Sequence, residues 1–130
     1  MINTLLEQKS FFNDKRFRTA VKLFNSQQWY KSHDLFEEIW HETSGEERKV
    51  IQGILQTAVG YYHLSNGNIN GATVLLGEAI GRLKSTSLLH IYIEIDFNIL
   101  LEVIESQLYS LQKHNKLANA QYPLLIRTNN

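Results

Sequence analysis

An all-α fold, a single helical bundle of about five helices with an extended C-terminal tail, is what the sequence predicts, and three observations predict it. Proline occurs once in 130 residues, at Pro123, so almost nothing interrupts helical backbone. Apolar residues recur at spacings of three and four along most of the chain, the period of a helix with one buried face. Turn formers such as Ser44-Gly45 and Gly67-Asn68 separate these stretches.

The first helix opens at about Asp14, a good N-cap, and carries Phe17, Ala20, Val21 and Phe24 as an i, i+3, i+4, i+7 stripe. The second, about Trp29 to Glu42, turns Trp29, His33, Phe36 and Trp40 inward and Lys31, Asp34 and Glu38 outward. The third, about Glu46 to Asn66, starts with two carboxylates at the positive end of the helix dipole and ends at Gly67, a left-handed C-cap. Its Val50, Ile51, Ile54, Leu55, Ala58, Val59, Tyr61, Tyr62 and Leu64 cover almost every side, which suits a central helix.

Asn68 caps the fourth helix, whose buried face is Ile69, Ala72, Leu76, Ala79, Ile80 and Leu83, with Glu78 and Arg82 placed to pair at i, i+4. Gly53, Gly60, Gly77 and Gly81 each cost roughly 1 kcal/mol relative to alanine inside a helix, and tight packing of the third helix on the fourth would compensate. Ile91, Ile93 and Ile95 alternate like a strand but have no second strand to pair with, so an extended connection is expected. Asp96 caps the fifth helix, with Ile95 and Leu100 as a hydrophobic staple and Phe97, Leu101, Ile104, Leu108 and Leu111 as its seam. Beyond His114, order is expected only around Tyr122 to Ile126, docked as an extended tail.

The length fits one helical domain over residues 1–130. Thirteen basic and thirteen acidic residues balance, so the field that gathers phosphates or anionic lipids is missing, and nucleic acid is not an expected partner. The absence of cysteine excludes thiol chemistry and suits a reducing compartment, the cytoplasm or, for an organelle-encoded chain, the plastid stroma. No secretory signal is expected in Met1 to Phe12, and no run of apolar residues is long enough to span a membrane.

Two polar signatures interrupt the apolar pattern. His33, Glu37 and Trp40 fall within roughly 40° of one another on the second helix, and Gln52, Gln56 and His63 do the same on the third. The short connection at Ser44-Gly45 makes these helices antiparallel neighbours, so His33, Glu37, Gln52, Gln56 and His63 are expected to converge. The plainest interpretation is a buried hydrogen-bond network that fixes helix register, in which case Glu37→Ala costs about 1 to 3 kcal/mol.

The sharper interpretation makes His33, Glu37 and His63 ligands of a divalent metal, since two imidazoles and a carboxylate with open positions suit hydrolysis. The paired histidines of zinc proteases and the Glu-x-x-His pair of di-iron bundles are both absent. A metal-free variant uses Glu37 as a general base partnered by His33 or His63. Trp29 and Trp40 read as core aromatics, and His41, His90 and His114 as ordinary histidines. The acidic run Asp34, Glu37, Glu38, Glu42, Glu46, Glu47 and the basic group Lys15, Arg16, Arg18, Lys22 read as a two-signed surface, able to dock a basic partner or a second copy.

Phe24-Asn25, Tyr30, His33-Asp34, Glu37 and Trp40, then Gln52-Gly53-Ile54-Leu55-Gln56, His63, Gly67-Asn68 and Gly71-Ala72, resemble in order and spacing the domain of unknown function 309 family, over a core of about residues 24–84. The tail beyond Asp96 is similar to that of cyanobacterial and plastid-type members. The resemblance implies a small helical bundle whose signature polar residues are His33, Asp34, Glu37, Gln52, Gln56 and His63, and no established activity. Asp34 stands where the family has glutamate, which shortens that carboxylate's reach. Gln28 to His33 and Gly67 to Ala72 also resemble the start of a tetratricopeptide second helix, but their separation of 39 residues misses the period of about 34.

Two functions follow as expectations: a binding or scaffold module that recognises a protein or small ligand through a polar cleft, or a metal-dependent hydrolase using His33, Glu37 and His63. The sequence names no cofactor beyond that divalent metal.

Overall fold

The computed structural model describes residues 11–86, 95–114 and 122–127. A 3-10 turn, Phe11–Asn13, leads into five helices: α1 Lys15–Asn25, α2 Trp29–His41, α3 Gly45–Ser65, α4 Ile69–Ser85 and α5 Phe97–His114. Among the described residues there is no strand, only an isolated antiparallel bridge between Ile95 and Arg127. None of the described helices is long and apolar enough to cross a membrane.

Asp14 caps α1 through a 2.8 Å hydrogen bond from the Arg16 N–H to Asp14 Oδ1. The helix buries Phe17, Ala20 and Phe24. Phe17 and Phe24 meet Phe36 of α2 edge-on at 6.0 and 6.4 Å, the arrangement that aromatic quadrupoles favour.

Helices α1 and α3 end in the same way. Gln28 N–H reaches back to the Leu23 carbonyl and Gln27 N–H to Phe24; Asn68 N–H reaches His63 and Gly67 N–H reaches Leu64. This paired closure puts the residue after the cap in the left-handed region, where Gly67 sits at φ 78° and Gln27 at φ 66°. A shared turn geometry therefore underlies the repeat-like likeness of the segments at 28–33 and 67–72.

As expected, α3 is central, packed between α2 and α4. Its Val50, Ile51, Ile54, Ala58 and Tyr61 are all buried. A Cβ added at Gly53 would lie 2.7 Å from the Leu83 side chain, and one at Gly60 2.8 Å from Leu76, so these two glycines allow α4 to approach. Gly77 and Gly81 do not share that role: a Cβ there would meet nothing within 4 Å among the described residues. The expected Glu78–Arg82 pair is also replaced, because both side chains turn to Gln56 on α3.

Asp96 caps α5 by accepting from Ile99 N–H at 3.1 Å, and Ile95, Phe97, Leu100, Ile104 and Leu111 are buried. Residues 122–127 run extended against the bundle. The Asn25 carboxamide holds both main-chain groups of Leu125, and the Ile126 carbonyl accepts from Asp96 N–H at 2.7 Å. Ile95 thus does find an extended partner, in Arg127. The rest of the expected connection, with His90, lies outside the described residues.

Candidate functional site

His33 lies on the half-buried face of α2, with a side chain 21% exposed. Its Nε2 is 2.8 Å from Glu37 Oε2 one turn on, and its Nδ1 is 3.4 Å from Asp34 Oδ1. Glu37 also faces His41 Nε2 at 3.6 Å and is 44% exposed. Water therefore reaches this carboxylate, and the imidazole is held in place by a hydrogen bond that is not sealed from solvent.

On α3, His63 is held from the opposite direction. Asn68 Oδ1 accepts the Gly71 N–H at 2.9 Å as the cap of α4, which orients the amide so that its Nδ2 donates to His63 Nδ1 at 3.1 Å. His63 is then the tautomer protonated at Nε2. A Cβ on Gly71 would come within 2.7 Å of Asn68 Nδ2 and 3.1 Å of His63 Cγ, so glycine is what lets this ring lie against the start of α4. The motif His63, Gly67-Asn68, Gly71-Ala72 is a turn lock: left-handed glycine, cap, imidazole acceptor, space for the ring, and a buried alanine.

The two histidines line one small hollow of about 120 Å³ with Tyr30, Val59 and Tyr62. Tyr30 and Tyr62 pack at 5.3 Å between ring centroids, and Tyr30 packs on His33 at 5.7 Å. This much of the expected convergence is present.

The glutamines do not join it. Gln56, 8% exposed, turns to α4, where its Oε1 accepts from Arg82 Nε at 2.9 Å and its Nε2 donates to Glu78 at 3.4 Å. Gln52 is half-buried and bonds to neither histidine. The shared five-residue cluster is thus corrected to two separate arrangements: a histidine pair with tyrosines between α2 and α3, and a Gln56–Arg82–Glu78 link between α3 and α4. The cause lies in what the neighbouring helix supplies at each level: Gln56 meets Glu78 and Arg82 of α4, whereas His63, about 20° away in angle but two turns further along α3, meets Asn68.

No three His, Cys, Asp or Glu side chains among the described residues are arranged to hold a metal ion. Glu37 lies between His33 and His41 on its own helix, whereas His63 has given its Nδ1 to Asn68. Asp34 and Glu38 face solvent, as expected.

Trp40 packs against the core while Arg48 of α3 stacks over its ring at 3.9 Å, clamping the α2–α3 connection. Sequence reasoning counted Tyr62 among the apolar residues of the third helix and Tyr30 only within the family motif, so neither was expected at the site. It placed Arg16 in a basic surface group without its partners. That guanidinium bonds Asp14 at 2.7 Å and Glu42 at 2.7 and 2.9 Å, joining the basic start of α1 to the acidic end of α2. The Arg16 hydrogen bonds hold the Asp14 and Glu42 carboxyls below the usual carboxylate range, and Glu42 followed by Asp14 pushes Arg16 up.

No curated protein matches the chain. Residues 17–75, which carry His33, Glu37, Gln52, Gln56, His63 and the turn lock, match the model of a family described as a domain of unknown function (DUF309), the family that the sequence motifs resemble.

Proposed function

We propose that the chain is a helical binding module that recognises a protein partner through the Tyr30, His33, Tyr62, His63 face of α2 and α3. The observation that carries this reading is the size and lining of the hollow. Clefts for metabolites and cofactors run to roughly 300–1,000 Å³; about 120 Å³ accepts one side chain. Tyrosine is the residue type that interface anchors favour, and Tyr30 offers 55% of its surface to solvent. Asn68 occupies Nδ1 of His63, so the ring nitrogen left to the partner is Nε2, an N–H donor. The inserted side chain therefore carries a hydrogen-bond acceptor. The helical scaffold supplies rigidity, and Glu37 orients the His33 ring.

A photo-crosslinking residue placed at position 30 tests this in cells that express the protein, with position 74 on α4, equally exposed, as the control. The expected result is a discrete adduct from position 30 that is absent from position 74 and lost in His33→Ala. The same adducts from both positions would remove the case for this face.

A further inference from the structure

Where the α1–α2 and α3–α4 turns lie, a cleft of about 380 Å³ opens at one end of the bundle. Trp29, Tyr61 and Tyr122 supply its aromatic wall, with ring centroids 5.1 Å apart for Trp29–Tyr61, 6.2 Å for Trp29–Tyr122 and 6.3 Å for Tyr61–Tyr122. Gln27 and Ser65 contribute polar groups, and among the described residues no charged side chain lines the cleft. One of the three rings comes from the extended C-terminal segment.

That segment is held as a peptide is held in a receptor. Leu125 N–H donates to Asn25 Oδ1 at 2.7 Å, and Asn25 Nδ2 donates to the Leu125 carbonyl at 3.1 Å. Main-chain bonds of this kind give affinity to any extended segment, while alternate side chains entering pockets give selectivity. Here Pro123 and Leu125 are buried, whereas Leu124 and Ile126 point outward at 41% and 37% exposure. Selection is thus by an aromatic ring on Trp29 and Tyr61, followed by proline and, two residues later, a leucine.

The fit is incomplete at one atom. Tyr61 is 1% exposed, yet its hydroxyl is buried and meets no hydrogen-bond partner among the described residues. A buried hydroxyl left unpaired costs free energy that an acceptor would recover. Gln27, which also lines the cleft, holds φ 66°, a left-handed conformation that glycine would adopt at less cost.

We propose that the surface seating residues 122–127, together with the cleft that opens beside Tyr122, is a recognition site for an extended peptide of another protein, with the pattern aromatic-proline-x-aliphatic and an acceptor that reaches the Tyr61 hydroxyl from the cleft, and that residues 122–127 are the intramolecular occupant of the seat. A tethered occupant competes at an effective concentration of about millimolar order, so a partner must offer something that the tail lacks. The acceptor for Tyr61 is that addition. The contacting part of the partner is uncharged, matching the described lining, which holds aromatic, aliphatic and neutral polar side chains.

The test is fluorescence anisotropy of a labelled synthetic peptide, Tyr-Pro-Leu-Leu-Ile-Arg, against full-length proteins. Leu125→Asp should expel the tail and bind the peptide about tenfold or more tighter than wild type, and adding Asn25→Ala should remove about tenfold of that gain. Adding Tyr61→Phe to Leu125→Asp should leave this peptide's affinity unchanged, because the tail sequence offers no acceptor there; a loss would overturn the acceptor assignment. Equal binding by wild type and Leu125→Asp, or no binding by a Leu125→Asp protein with native circular dichroism, would overturn the groove. Should Leu125→Asp fail to fold, a protease site between residues 114 and 122 of the otherwise wild-type chain replaces it. Exchange of the cut segment for the labelled peptide with helicity retained supports the proposal, and loss of helicity on cleavage overturns it by making the segment part of the core.

Discussion

His63 and His33 look alike in sequence, each sharing a helix face with a polar residue, Glu37 one turn from His33 and Gln56 two turns from His63, yet their surroundings divide them. His63 is tied into the cap of α4 through Asn68, with Gly71 making the space. His33 faces a carboxylate that is 44% exposed. A fully buried His33–Glu37 pair would orphan the imidazole when cut; a solvated one is rescued by water. Glu37→Ala is therefore expected to cost at most about 1 kcal/mol in chemical denaturation, below the range a buried network requires. A loss of 3 kcal/mol would mean that the pair is sealed. Which residues are polar was legible in the chain; how wet each of them is was not, because exposure depends on neighbours supplied by other helices.

At the scale of elements, helix identity and face were legible because period and capping are local. Asp14, Asn68 and Asp96 each accept the N–H that a cap should. The glycines show where local reasoning ends. All four carry the same propensity cost, but only Gly53 and Gly60 meet α4 side chains at under 3 Å. Gly53→Ala drives a methyl into Leu83, which is fully buried and has nowhere to turn, and is expected to destabilise by about 1–3 kcal/mol. Gly77→Ala meets open space and is expected to stabilise by about 0.5–1 kcal/mol through helix propensity alone. Urea midpoints of the two variants check this, and shifts of the same sign would refute the α3–α4 contact described here.

At the scale of the whole molecule, Arg16 joins the start of the chain's described part to the end of α2. Asp14 and Glu42 titrate lower in the folded state than in the unfolded chain, both chiefly through hydrogen bonds from Arg16. Their contribution to stability is complete above the ordinary carboxylate range of about 4 to 4.5 and is lost as pH falls through and below it. Arg16→Ala should therefore lower the melting temperature at pH 7 and flatten its decline between about pH 5 and pH 3. Parallel melting curves for wild type and variant across that interval would contradict the assignment.

Composition, period and caps determined, without any coordinates, that this chain makes helices, which faces are apolar and where α1, α4 and α5 begin, because each of these follows from neighbours within about four residues. Tertiary structure alone decided that Gln56 serves α4 instead of the histidines, that Arg16 reaches Glu42, and that Asn25 grips Leu125 100 positions away. These pairings depend on the rotation and approach of packed helices, and a few degrees of rotation about a helix axis, invisible in any periodic pattern, determine which neighbour a side chain meets.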